Sequence, residues 1–178
     1  MEEFLFFTET EKAKLLILYR KLIFSAGDSI GKETIKKVKR YLFEAVSCHN
    51  LQRNGFGMNP VIRDLETAVV LSEEMNMKGA GLISALLSEV VKCNILSFES
   101  AHAEFGSDVA GIIKGLVKTS ELYAKSAVIE SENFRSLLLS FAEDMRVILI
   151  MIADRVNMMR QIKDSENEED RLRVASEA

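Results

Sequence analysis

Apolar residues recur at intervals of three and four along almost the whole chain, and alternation at period two is nearly absent. That pattern predicts helices and no sheet core. "TEKAKLLILYRKLIF" (10–24) reads as a first helix, opened by Thr8 or Thr10, with Gly27 beyond its end. A second helix runs from about Glu33 through "VKRYLFEAVSCH". The glycine-bearing loop "NLQRNGFGMN" (50–59) follows, and Asn59-Pro60 supplies an N-cap with proline at the first helical position. A third helix continues through "LETAVVLSEE". "AGLISALLSEVV" (80–91) is a fourth, apolar nearly all round, which places it at the centre of the bundle.

Downstream, "SFESAHAEFG" (97–106) gives a short helix stopped by Gly106, and "SDVAGIIKGLVK" (107–118) gives another with Ser107 as its cap. Gly111 and Gly115 form a G-x-x-x-G spacing that lets two helices pack closely. "SENFRSLLLSFAED" (131–144) and "MRVILIMIADRVNMMRQI" (145–162) complete an all-α bundle. "VILIMIA" alone would suit a buried strand, but the helical pattern around it is far longer. From 163 the chain turns polar, and Ser165 with Glu168 makes a capping box that starts a further helix. Residues 1–162 are therefore expected to form one domain, and 163–178 the start of a linker helix toward a domain that lies further along.

Composition narrows the class. Of 178 residues, 48% are apolar and 28% charged, the mix of a folded globular domain. A net charge of −4 gives no general attraction to nucleic acid or to an anionic membrane. "GKETIKKVKRY" (31–41) is locally basic, but its charges spread round several helix faces. No apolar run approaches the roughly 20 residues that span a bilayer, and the acidic start is unlike a secretion signal. A cytoplasmic protein is expected. Cys48 and Cys93, with His49 and His102, follow no zinc-finger or ribbon spacing.

The polar residues set into apolar helices carry the candidate chemistry. They are Ser88 and Glu89 in "ALLSEVV", and Asp154, with Arg155 and Asn157, after "ILIMIA". A carboxylate at such a place needs a cation or several hydrogen bonds, and a buried salt bridge is the plain expectation for a lone acid there.

Four stretches together resemble a known family: "CHNLQRNGFGMNPVIRDLETA", "ALLSEVV", "EFGSDVAGIIKGLVKTS" and "ENFRSLLLSFAEDMRVILIMIADRVNMMRQI". In order and spacing they are similar to the N-terminal hydrolase domain of the RelA/SpoT enzymes, which make and degrade the alarmone (p)ppGpp. The resemblance covers nearly all the chain from about residue 35. It implies an HD-domain-like helical bundle followed by a synthetase domain. In active members two histidines and two aspartates bind a manganese ion, which activates water to remove the 3′-pyrophosphate. That work needs imidazole and carboxylate ligands with an open position on the metal.

Carried over position by position, the resemblance implies that the centre has decayed. The first metal-binding histidine falls on Arg63, and the His-Asp pair falls on Ser88 and Glu89. Only the distal aspartate survives, as Asp154. A second placement puts Asn59-Pro60 on the family's His-Pro; it fits the spacing to Ser88 less well and supplies no imidazole either. The two acids that assist the attacking water become Lys92 and Cys93. Nucleotide contacts become Asn157 and Met158 among their neighbours, and a basic pair in the loop becomes Asn54 and Gly55.

An arginine cannot deprotonate to bind a metal, and its charge repels one. The expected outcome is a catalytically inactive domain without a metal cofactor, kept as a structural and regulatory partner of a (p)ppGpp synthetase in the same chain. Two other readings stay open: a module whose vacated pocket still holds a guanine nucleotide, using Arg53, Asn54, Arg155 and Asn157, and an unusual hydrolase that recruits His49. The Arg63 guanidinium is expected to replace the metal as counter-charge to Asp154 or Glu89, gripping a carboxylate bidentately, with Ser88 in the same cluster and Lys92 as the alternative cation.

Overall fold

The stretch that is apolar on every side does become the centre. A computed structural model of the chain describes residues 7–26, 29–48, 51–53, 56–125, 144–163 and 172. Among them are seven helices and no strand: α1 (Glu9–Ala26), α2 (Lys32–Val46), α3 (Pro60–Glu73), α4 (Ala80–Lys92), α5 (Phe98–Phe105), α6 (Ser107–Lys125) and α7 (Met145–Ile162). In α4 every residue from Gly81 to Ser88 is buried, as are Val90 and Val91. It touches α2, α3, α6 and α7. α3 is the second inner helix, packed between α1, α4 and α7. α1 shows the opposite behaviour: Leu15, Leu22 and Ala26 go inward while Ile17 and Phe24 face out.

Local chemistry sets the helix starts. At α1 the cap is Thr8 rather than Thr10. Its hydroxyl accepts the Glu11 amide hydrogen at 3.2 Å while the Thr8 amide donates to Glu11 Oε2 at 2.9 Å, a reciprocal capping box. Asn59 Oδ1 accepts from the amides of Val61 (3.1 Å) and Ile62 (3.4 Å), and Pro60 fills the first position, which has no donor to lose. Ser97 Oγ accepts from the Ser100 amide at 3.1 Å and opens α5. Gly106 ends α5 with φ +91°, a conformation open to glycine. Ser107 is not the cap of the next helix. It is already the first residue of α6, and the Gly106 carbonyl accepts the Ala110 amide at 3.2 Å. The sharp turn at Gly106 leaves that glycine as the single residue between the two helices. Asp144 caps α7 by accepting the Arg146 amide at 2.8 Å.

Only half of the G-x-x-x-G spacing acts as a close contact. A Cβ on Gly115 would come within 2.8 Å of Val147 Cγ2 in α7, whereas one on Gly111 would meet nothing within 4 Å. The helix read over 131–144 and the capping box at Ser165 lie outside the described residues, apart from Asp144. No described helix is long and apolar enough to cross a membrane.

Candidate functional site

Three helices bring the polar residues together. Arg63 stands in the first turn of α3, Glu89 in the last turn of α4 and Asp154 midway along α7. Arg63 Nε lies 3.1 Å from Asp154 Oδ1, and Arg63 Nη2 lies 3.6 Å from Glu89 Oε1. Lys92 reaches the same Glu89 oxygen at 2.6 Å. Both cations named from the sequence therefore serve one carboxylate, and Arg63 also serves Asp154. Neither contact of Arg63 is the bidentate fork expected of it: its buried Nε–H makes no hydrogen bond. The guanidinium is shared between two acids on different helices, so it cannot align squarely with either.

Ser88 joins the cluster through a residue that was not singled out from the sequence. Its hydroxyl donates to Asp64 Oδ2 at 3.1 Å, and the Glu89 amide donates to the same oxygen at 3.3 Å. Asp64 is 6% exposed. Burial pushes its carboxyl up to about 8; the Glu89 carboxylate adds to the rise, while Arg63 and Lys92 pull it down. In "NPVIRDLETA" Asp64 reads as an ordinary helix-face acid, because the charged Arg63 beside it masks the apolar period. The available signal was its place, one residue past a position already expected to face the site.

On the other side of Arg63, Asn157 and Thr67 finish the polar core. Asn157 Nδ2 donates to the Arg63 carbonyl and to Thr67 Oγ1, both at 3.3 Å, and Thr67 Oγ1 donates to Asp154 Oδ1 at 3.4 Å. Gln161 Nε2 donates to Asn157 Oδ1 at 3.1 Å and also to Glu66, which pairs with Lys14 of α1 at 2.5 Å. Met158 is buried with Ile162, Phe56 and Met58 beneath the loop before α3. Asn157 and Met158 thus face inward. Arg53 grips Glu11 with bonds of 2.6 and 2.8 Å and the Gly57 carbonyl at 2.9 Å. Asn54, Gly55 and His49 lie outside the described residues. Cys93 ends α4, half-buried against the core, with its thiol pushed up to about 11, mainly by burial. A groove of about 500 Å³ between α5 and α6, lined by Phe98, His102, Gly111 and Lys114 among others, shares no residue with this cluster.

The residues at the four expected metal positions do not fit a manganese ion. They offer a guanidinium, a hydroxyl and two carboxylates, with no imidazole. Both carboxylates already have cations within 4 Å. Among the described residues no three His, Cys, Asp or Glu side chains are grouped to hold a metal.

Comparisons with known proteins bear on the chain's kinship. A profile described as "HD domain" matches residues 43–178. A "GTP pyrophosphokinase" of Myxococcus xanthus is 32% identical over 143 residues, which is 78% of this chain and 18% of that protein. A "GTP pyrophosphokinase rsh" of Brucella ovis is 33% identical over 141 residues, again 78% and 18%. The "Bifunctional (p)ppGpp synthase/hydrolase SpoT" of Escherichia coli K12 is 29% identical over 149 residues, 83% of this chain and 21% of that one. A solved structure titled "A metazoan ortholog of SpoT hydrolyzes ppGpp and plays a role in starvation responses" superposes with a TM-score of 0.48 at 19% identity, over 93% of this chain and 83% of its own. The chain spans about a fifth of the length of the curated relatives it matches.

Proposed function

Because the chain belongs to the HD-domain family, in its RelA/SpoT branch, we propose that it is a non-catalytic HD domain of a (p)ppGpp-metabolising protein. Its role is structural and regulatory, toward a synthetase domain of the same polypeptide that transfers pyrophosphate from ATP to a guanine nucleotide. The observation that carries this is the donor set. At the four positions that the resemblance matches to the family's metal ligands, this chain has one aspartate and an arginine 3.1 Å from it.

Metal-assisted hydrolysis needs an open position on a Lewis acid that lowers the pKa of a bound water. A fixed cation supplies charge but no coordination site. Glu89 and Asp154 are engaged by Arg63 and Lys92, so neither is a free base for water. Nucleotide retention has less support from the residues named for it. Arg53 is committed to Glu11, and Asn157 is buried inside the polar core.

The test is direct. The purified chain incubated with ppGpp and manganese is expected to release no pyrophosphate above the rate without protein. Manganese-dependent release that scales with protein concentration refutes the proposal.

A further inference from the structure

Nothing in the fold requires residue 111 to be glycine. Inside a helix glycine costs backbone entropy that alanine does not. At Gly115 that cost has a cause, since a Cβ there would stand 2.8 Å from Val147 Cγ2. At Gly111, within the regular course of α6, a Cβ would meet nothing within 4 Å. What Gly111 borders is the groove of about 500 Å³ between α5 and α6. The missing side chain leaves room there beside Phe98 and His102, which stand one turn apart on α5. Such a volume lies within the roughly 300–1,000 Å³ of small-molecule sites, whose apolar walls carry a few polar groups that orient the ligand.

The charges around the groove do not cancel. Each acid of α5 and of the first turn of α6 is already engaged. Glu99 is turned back onto its own amide and Ser97, contacts that hold its carboxyl below the ordinary range. Glu104 accepts the Tyr41 hydroxyl at 2.5 Å and an Arg40 N–H at 2.8 Å. Asp108 holds Arg146 with bonds of 2.8 and 2.6 Å. The Lys114 ammonium has no partner among the described residues, and neither has the His102 imidazole. The surplus at the groove is therefore positive. An apolar wall with one unpaired cation at its edge complements an apolar anion.

We propose that the α5–α6 groove binds a small anion with a flat apolar body. The Phe98 ring, 39% exposed, packs against that body. The bare backbone at Gly111 admits it, and Lys114, with His102 beside it, takes the charge. This goes beyond the non-catalytic reading and does not depend on it, because the groove shares no residue with the α3–α4–α7 cluster.

A two-dimensional amide NMR titration of the purified chain tests this with 1-naphthaleneacetate, an aromatic carboxylate, and with its neutral amide. The carboxylate is expected to shift the signals of Phe98, His102, Gly111 and Lys114 saturably, with a Kd below about 1 mM. The neutral amide should bind about threefold to fivefold more weakly, the worth of one exposed ion pair. Lys114→Gln should bring the carboxylate down to the same level. Gly111→Leu places a side chain in the groove from a Cβ that meets nothing in the fold. It should weaken binding about tenfold or more while melting no lower than the parent.

Absence of saturable shifts overturns the proposal. So does equal affinity for the two ligands, or binding that survives Gly111→Leu. Shifts of the same signals on diluting the unliganded chain would place a second copy in the groove and overturn it as well. Should Gly111→Leu not fold, Phe98→Ala is read in its place: weaker binding of both ligands supports the proposal, and unchanged binding overturns it.

Discussion

Arg63 and Arg146 each bridge two acids, and they differ in almost every physical respect. Arg146 lies near the surface at the start of α7. It holds Asp108 of α6 with two bonds of 2.8 and 2.6 Å, and Asp144 with bonds between 2.6 and 3.0 Å. Arg63 lies inside, at 3.1 and 3.6 Å from its two acids, with an unsatisfied Nε–H. By geometry the surface cluster is the better one. By consequence it is the weaker, because water hydrates each Arg146 partner once the bond is broken; the Asp108 side chain is 61% exposed. The side chains of Arg63 and Glu89 are 18% and 13% exposed, so a lost partner there leaves a charge that little water can reach. The comparison teaches that the cost of removing an ion pair is set by what replaces the partner, more than by the quality of the bond.

Three substitutions break or sharpen that contrast. Arg63→Ala should have the largest effect, a loss of about 3 kcal/mol by urea unfolding. That is the low end for breaking a buried pair, because the Asp154 side chain is 33% exposed. A loss below about 0.5 kcal/mol would make the inner cluster equivalent to a surface bridge.

Asp64→Asn comes next and depends on pH. The Asp64 carboxyl is raised from 3.8 to about 8, so the native state keeps a proton that the unfolded chain releases. Its contribution to stability is complete below about 3.8 and is lost as pH rises through about 8. An asparagine is neutral throughout and still presents an oxygen to Ser88 and to the Glu89 amide. The variant is therefore expected to match the parent below about pH 3.8 and to be increasingly the more stable as pH rises to about 8, a window over which unfolding of the two chains is compared. A parent whose stability difference from Asp64→Asn is constant with pH would contradict the assignment.

Arg146→Ala should be the mildest, at about 0.5–1 kcal/mol and falling further in high salt, as screening predicts for exposed charges. A loss equal to that of Arg63→Ala, unmoved by salt, would overturn the contrast between the two clusters.

Much of this was legible along the chain. The 3.6-residue period identified α1 to α5 and α7 near their observed bounds and the start of α6, which runs on past the expected 118 to Lys125, because each buries its own apolar face. The all-round apolar pattern of 80–91 identified the central helix. The cap at Asn59 and the stop at Gly106 follow from residues that act only on their immediate neighbours. The same locality explains the error at Ser107: a serine next to a glycine stop resembles a cap, and only the backbone at Gly106 shows that the helix has already begun.

The candidate site was legible in part. Of the four expected positions Arg63, Glu89 and Asp154 do meet and Ser88 is linked to them only through Asp64, and the absence of imidazoles there is a property of the sequence itself. Which partner each would take was not. Arg63 divides itself between two acids, Lys92 turns to Glu89, and Ser88 binds Asp64, a residue whose burial no periodicity announces. The sequence alone determined which helices form and which charges exist, since helix formation and residue chemistry are local. The tertiary structure decided which charges share one poorly hydrated space, because that depends on where α3, α4 and α7 cross, and the energies there are set by distance and by exclusion of water.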